Sequence, residues 1–253
     1  MFIGGELGYR ILRLVSPPVD LVERHLNPST HRERPDSGLE SWLSAEDWKA
    51  IDGKVVIDFG CGVGGDAIAL AQRGARHVIG IEVRDWVIDQ ATDNARAAGV
   101  LDRCTFTRRT DERADIITCS DVFEHVDDLE GVLAEMHRLL TSGGQVLAAF
   151  GPPWYHPYGA HLLSVFPWAH LLFTERALTR WRSAFAWRPI THFSESGLNG
   201  MTVRRFIETV ARSPLRFAHL DLTPIRRLGL LHNRLTREFT TAVVYCRLVR
   251  RGE

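Results

Sequence analysis

The sequence predicts an α/β protein built on a doubly wound, mostly parallel sheet, and three observations lead there. From Lys54 onward, short apolar runs alternate with segments of helical periodicity. The runs are almost continuously apolar, as strands are when helices cover both faces of their sheet. The first run, VVIDF, feeds a glycine-rich turn and then a helix, the junction at which open α/β sheets bind ligands.

Residues 1–52 read as a helical leader or lid. Pro17-Pro18 and the turn-rich NPSTHRERPDSG interrupt it, and 37–52 place Trp42, Leu43, Trp48 and Ile51 at helical spacing. Residues 53–150 form the core that carries the glycine turn. In order they read strand VVIDF, helix GDAIALAQRG, strand HVIGIEV, helix DWVIDQATDNARAAG, strands RCTFTR and ADIITCS, helix LEGVLAEMHRLL and strand GGQVLAAF. Units of this kind close with right-handed crossovers. Residues 151–200 break the rhythm. They hold 10 of the 23 aromatic residues and no Asp or Lys, which marks an inserted aromatic cap at the carboxyl edge of the sheet. Residues 201–253 complete the sheet with helix TVRRFIETVARS, strand-like LRFAHLDL and a final strand TTAVVYCRLV.

The chain has 253 residues, 45% hydrophobic and 25% charged, which excludes a disordered chain and a small disulfide scaffold. Lys+Arg and Asp+Glu balance at 31 each. A nucleic-acid partner is therefore not expected, and Arg226-Arg227, Arg234, Arg237 and Arg250-Arg251 read as solvated surface. Cys61, Cys104, Cys119 and Cys246 form no CxxC pair, so a zinc knuckle is not expected, and a reducing, cytoplasmic setting fits. Glu6 and Arg10 break the apolar N-terminus, unlike a signal peptide. The longest apolar stretch, HLLSVFPWAHLLF, is too short to span a bilayer.

Two patterns overlap at the glycine turn. Gly60, Gly62 and Gly65 satisfy G-x-G-x-x-G, the dinucleotide fingerprint. Asp58 with Gly60, Gly62 and Gly64 satisfies D-x-G-x-G-x-G. Charge favours the second. A pyrophosphate needs bare N–H groups at a helix N-terminus, and Asp58 would repel it. S-adenosylmethionine carries an ammonium, a carboxylate and a sulfonium but no phosphate, so an acid beside the turn suits it. Glu82 ends the second strand, where a carboxylate grips ribose hydroxyls, a feature both cofactors share.

The segments VVIDFGCGVGG, IGIEV, ADIITCSDVFEHVDD and LAEMHRLLTSGGQVL, in this order, resemble the class I S-adenosylmethionine-dependent methyltransferases over residues 37–150, with a weaker echo at 197–250. The resemblance implies a seven-stranded, Rossmann-like sheet whose last strand runs antiparallel, with the cofactor across the carboxyl ends of the first half. It implies Asp58 near the methionine amino group through the loop, and Gly60, Gly62 and Gly64 as points of close approach. It puts Glu82 on the ribose, Val83 against the adenine, and Ser120 and Asp121 near the methionine part. The family often has an acid after the third strand that meets the adenine amine. Asp111 is the candidate, and because RRTDER is short, Arg109 or Thr110 is the alternative.

Asp121, Glu124 and His125 follow the fourth strand, in a loop that faces the reacting centre in the family. Imidazole titrates near neutrality, so His125 suits a general base, with Glu124 beside it; the alternative is that the pair only holds loop and cofactor. Asp121, Glu124 and His125 with His161 or His156 also compose a mixed carboxylate and imidazole set that suits Mg, Mn, Fe or Zn, a divalent metal the sequence does not favour. Trp154, Tyr155, His156, Tyr158 and His161 are dense enough to wall a small-molecule pocket, whereas Trp168, Phe173, Trp181 and Phe185 are assigned to packing. The apolar leader either folds over the cofactor as a lid or pairs with a second chain as a homodimer. The expected function is methyl transfer to an oxygen, nitrogen or carbon nucleophile of a small organic substrate in specialised metabolism. The alternatives are a non-methylating use of the cofactor such as cyclisation, releasing methylthioadenosine, a nicotinamide-dependent oxidoreductase, against which Asp58 argues, and a non-catalytic binding module.

Overall fold

A computed structural model describes residues 3–16, 38–160, 163, 167–185 and 189–252. The apolar runs become seven strands: β1 Val55–Phe59, β2 His77–Ile81, β3 Cys104–Thr107, β4 Ala114–Ser120, β5 Leu140–Phe150, β6 Leu215–Pro224 and β7 Thr241–Arg250. They form one sheet in the order β3-β2-β1-β4-β5-β7-β6. The pairs among β1 to β5 are parallel, and β7 runs antiparallel to both its neighbours. The helices are α1 Gly5–Val15, α2 Ala45–Ile51, α3 Gly65–Gln72, α4 Asp85–Ala97, α5 Leu129–Leu139, α6 Ala169–Leu172, α7 Glu175–Ser183, α8 Val203–Arg212 and α9 Arg237–Thr240.

The period of two along each strand sorts the core into two layers. Val56, Val78, Ile116 and Leu147 point to one face, where they meet Ile51, Leu70 and Ala95 from α2, α3 and α4. Their chain neighbours Ile57, Ile79, Ile117 and Val146 point to the other, against Leu133 and Met136 of α5 and Phe206 and Val210 of α8. Both faces are dry, which is why the strands read as unbroken apolar runs. Phe123, Phe150 and Phe206 form an edge-packed trio with centroids 4.9–6.0 Å apart. This trio ties the loop after β4 to β5 and α8.

Two boundaries differ from the sequence reading. The 37–52 segment is a short 3-10 turn over 39–41 followed by α2, because Ser44 and Asp47 close a reciprocal capping box that starts the helix afresh. Arg247 of β7 then holds Asp47 at 2.5 Å. The fifth strand begins at Leu140, earlier than expected. Leu140 already pairs with Ala114, and the intervening residues take up a register shift before Gln145.

The leader divides between two bodies. Residues 39–51 pack on the sheet. α1 packs on the cap helix α7: Leu12 meets Ala177, Leu178 and Trp181 in one buried cluster. Glu6 pairs with Arg180 at 2.7 Å, Trp181 Nε1 donates to Ser16 Oγ at 2.5 Å, and Ile3 bridges to Phe173. Trp168, Phe173, Trp181 and Phe185 are thus engaged in packing and local hydrogen bonding, as the sequence suggested. Pro17-Pro18 and NPSTHRERPDSG lie outside the described residues, apart from Gly38 at the end of the latter.

Candidate active site

The carboxyl ends of β1, β2 and β4 meet at one edge, with Asp58 beside Gly80 of β2 and Thr118 of β4. The chain leaves β1 by a turn in which the amides of Gly60 and Cys61 both donate to the Ile81 carbonyl, at 2.9 and 3.0 Å. Three glycines here have positive φ, +80° at Gly60, +49° at Gly62 and +84° at Gly64, a conformation L side chains rarely adopt. Their surroundings differ. A Cβ on Gly60 would strike Val122, and one on Gly64 would come within 3.1 Å of Phe106 and 3.2 Å of Ala91. Gly62 has nothing within 4 Å. Gly64 therefore serves packing inside the fold, Gly60 packs on Val122 yet is exposed along a cleft, and Gly62 has open space around it.

A cleft of about 710 Å³ opens on this edge. Phe59 and Gly60 of the glycine turn line it, Ile81, Glu82, Val83 and Arg84 form one wall and Asp121, Val122, His125 and Val126 another, and Arg108, Arg109, Glu135 and Gly197 complete it. Asp58 stands behind the turn, 2% exposed. Its Oδ1 accepts from Thr118 Oγ1 at 3.2 Å, and its Oδ2 has no partner among the described residues. Burial, then the charge of Asp66, pushes its carboxyl well above the usual range, against the Thr118 and Ala67 donors. Ser120 Oγ is likewise buried without a partner. Two orphaned buried atoms at the ends of β1 and β4 describe a site that lacks a cationic or donor group.

Glu82 is the opposite case. Burial raises its pKa, but the Arg84 side chain, the Arg84 amide and charge, and the Val83 amide together bring it below the ordinary value. Oε1 accepts from both amides at 2.8 and 3.1 Å, and the Arg84 guanidinium clasps both oxygens at 3.0 Å. The carboxylate is held ionised at the cleft wall, the state that accepts hydroxyl donors. Val83 is 72% exposed beside it, a free apolar surface for a flat ring.

The loop after β4 carries the titratable groups Asp121, Glu124 and His125. Asp121 sits at φ +52°, a strained conformation for a residue with a side chain. His125 places Nδ1 2.9 Å from the Gly197 carbonyl. A carbonyl only accepts, so Nδ1 carries the proton and Nε2 is the acceptor of the ring. Desolvation chiefly raises the Asp121 carboxyl, and a positive charge on the neighbouring His125 would lower it. Glu124 lies behind the loop, 4% exposed with Oε2 unpartnered, and burial pushes its carboxyl up to about 8. Asn199, which the sequence reading did not single out, clamps the loop. Its Nδ2 donates to the carbonyls of Phe123 and Val126 at 2.7 and 2.6 Å, and its backbone N–H donates to Glu124 O at 2.9 Å. Arg84 was also missed, although an arginine two residues after Glu82 was a readable signal. Nothing in the sequence pairs Asn199 with a loop more than 70 positions away.

Other expected residues lie elsewhere. Asp111 is outside the cleft, its side chain fully exposed and bound to Arg138 at 3.1 Å. Thr110 Oγ1 caps the amide of Glu112. The short 108–113 connection turns these two away and leaves Arg108 and Arg109 on the wall, Arg108 itself gripping Asp85. Trp154, Tyr155, His156 and Tyr158 are not among the residues lining this cleft. Trp154 packs on His170 and Phe193, and its carbonyl accepts from His170 Nε2 at 2.6 Å. Tyr155 stacks near Phe239 at 5.3 Å, and His156 Nδ1 accepts the Tyr158 amide at 3.0 Å. His161 lies outside the described residues. Among the described residues no three His, Cys, Asp or Glu side chains converge to hold a metal, so Asp121, Glu124 and His125 do not form that set by themselves.

A family profile for the methyltransferase domain matches residues 31–201, which spans the sheet edge, the glycine turn and the His125 loop. The chain belongs to the class I S-adenosylmethionine-dependent methyltransferases. This methyltransferase is 34% identical over 112 residues to a ubiquinone biosynthesis O-methyltransferase of Pseudomonas aeruginosa, covering 42% of this chain and 47% of that protein. It is 34% identical over 110 residues to a ribosomal protein L11 methyltransferase of Tolumonas auensis, covering 41% of this chain and 37% of that protein. The matched stretch thus spans less than half of these curated relatives. Among solved structures, an S-adenosylmethionine-dependent methyltransferase from Mesorhizobium loti matches with a TM-score of 0.54 at 19% identity, over 85% of this chain and all of that one. One from Geobacter sulfurreducens in complex with S-adenosylhomocysteine matches with a TM-score of 0.52 at 18% identity, over 94% of this chain and all of that one. They share the fold.

The family cofactor, S-adenosylmethionine, fits the donor set on this methyltransferase's edge. The ionised Glu82 suits ribose hydroxyls, Val83 suits the adenine, and the exposed Gly60 on the cleft lining allows close approach to the backbone. Asp58, 2% exposed, stands behind the glycine turn and is not among the residues lining the cleft. Among the described residues no helix is long and apolar enough to cross a membrane.

Proposed function

We propose that this methyltransferase transfers a methyl group to an oxygen, nitrogen or carbon nucleophile of a small organic acceptor, with His125 as the proton acceptor. The observation that carries the reading is the Nδ1–Gly197 hydrogen bond, which leaves Nε2 as the ring's acceptor on a residue lining the cleft. S-adenosylmethionine, when bound, supplies a methyl group activated by a sulfonium. The protein's residues do the rest. Glu82 anchors the ribose end, Asp121 stands near the methionine end, and Gly60 admits the ligand to the backbone. His125 Nε2 removes the acceptor's proton as its lone pair is committed, and the Asp121 carboxylate favours the imidazolium that results. The curated relatives act, by their names, on a quinone-pathway compound or a ribosomal protein. The cleft of about 710 Å³, which mixes apolar Phe59, Ile81, Val83, Val122 and Val126 with ionisable side chains and is shared with the cofactor, supports the small-molecule reading.

Calorimetric titration with S-adenosylhomocysteine should show one site, and acceptor screening should show methyl transfer. His125→Asn, which keeps a donor toward Gly197, should bind S-adenosylhomocysteine normally while kcat falls by about 10²–10⁴. No binding of the product would overturn the cofactor assignment. Methylthioadenosine released in place of S-adenosylhomocysteine would replace methyl transfer by the cyclising chemistry.

A further inference from the structure

The connection between β6 and β7 is an ordered loop that holds leucines in water. Leu230 is fully exposed, Leu235 is 91% exposed, and Leu231 and Phe239 stand out beside them. Hydrogen bonds hold the backbone that carries them. Ile225 N–H donates to Thr240 O at 2.8 Å, Leu235 N–H to Asn233 Oδ1 at 2.9 Å, and Asn233 Nδ2 to Leu231 O at 3.1 Å. His232 Nδ1 lies 2.8 Å from Thr240 Oγ1. The loop's Asn233, Thr236, Thr240 and His232 are engaged in local hydrogen bonds, and its large apolar groups face outward. Exposed apolar surface built this way marks a contact surface.

Charge identifies the contact. Arg226, Arg227, Arg234 and Arg237 share the loop, and residues 222–237 contain no Asp or Glu. None of the four has an ion pair among the described residues. Glu238, the one nearby acid on α9, is turned inward onto the amides of Val203 and Arg204 at 3.2 and 2.7 Å. A two-fold pairing of this face with a second copy would set arginines against arginines. A single-stranded nucleic acid would want aromatic platforms where the loop offers leucines. Leucines flanked by unpaired arginines match the interface of an anionic bilayer, with the apolar tips in the acyl boundary and the guanidinium groups among phosphates. We infer that the β6–β7 loop, through Leu230, Leu231, Leu235 and Phe239 with the four arginines, docks the protein onto anionic lipid surfaces. β5 and β6 both end on the edge where β7 begins, so the loop projects from the same edge as the cleft. Phe239 touches Tyr155 of the cap. Docking turns that edge toward the headgroups.

The test is sedimentation with phosphatidylcholine vesicles, neutral or carrying about one-third phosphatidylglycerol. The protein should bind the anionic vesicles, lose binding as salt rises, and bind neutral vesicles far less. Leu230→Ser with Leu235→Ser should weaken binding about tenfold or more, and Arg226→Glu or Arg234→Glu about fivefold each. All should bind S-adenosylhomocysteine as the parent does, since none touches the cleft. Vesicle binding without any methyl transfer would leave this inference standing and sink only the proposed activity. Three results overturn it: no vesicle binding, a concentration-dependent dimer that the double serine variant abolishes, or tighter binding to single-stranded oligonucleotide than to anionic vesicles.

Discussion

Glu124 shows how one buried atom sets a pH response. Its carboxyl is dry, one oxygen lacks a partner, and it titrates at about 8 in place of the ordinary 4.5. Between those values the unfolded chain has already released a proton that the folded protein keeps. Stability therefore falls as pH rises across that window, by up to about 1.4 kcal/mol per pH unit, and the contribution is constant above it. Denaturation of Glu124→Gln measured across the same range should lack this decline, and an unchanged slope would show that Glu124 is ionised in the fold. The glycines offer a second contrast. Gly64→Ala combines a left-handed φ with a contact at 3.1 Å on Phe106, so it should lower stability by about 1–2 kcal/mol or more. Gly62→Ala meets no protein atom, so beyond its backbone strain its loss should appear chiefly as weaker S-adenosylhomocysteine affinity in calorimetry.

At the scale of elements, the loop after β4 is held from across the fold. Asn199 precedes α8 and donates to two carbonyls of that loop, and Gly197 holds His125. Asn199→Asp would face a carboxylate toward the Phe123 and Val126 carbonyls. It should destabilise more than Asn199→Ala, and both should lower kcat while leaving S-adenosylhomocysteine affinity within a few-fold, as parallel denaturation and kinetics would reveal. The α1–α7 pair forms a cluster of its own around Trp181, 1% exposed. Trp181→Ala should cost about 3–5 kcal/mol locally. Hydrogen exchange should then quicken in α1 and α7 while β1, β4 and β5 stay protected, whereas a global increase would show that the cap and sheet unfold together. The sheet core was legible because its signals are local: unbroken apolar runs alternating with helical segments, glycines at a strand end, and acids at fixed offsets. Asn199 and the outward turn of Asp111 were not, because each depends on a partner far along the chain. The docking of α1 on α7 was illegible for the same reason, since an amphipathic helix announces its apolar stripe but not the surface that receives it.

For the whole molecule, all four cysteines are free and buried, and burial raises every thiol. Under native conditions a thiol reagent should react slowly with all four, and quickly once denaturant is added; one fast cysteine in the native protein would contradict the packing around it. Seven strands with an antiparallel last strand were anticipated through the family resemblance; the structure adds the order, with β7 between β5 and β6. β6 touches the rest of the sheet only across β7, yet it precedes β7 in the chain. As the polypeptide emerges from a ribosome, β6 must therefore wait, its hydrogen-bonding edge bare, until residues 241–250 arrive to slot in on both sides. A nascent protein stopped before Thr241 would present two raw seams at once, one along β5 and one along β6, and such seams invite strands from other chains.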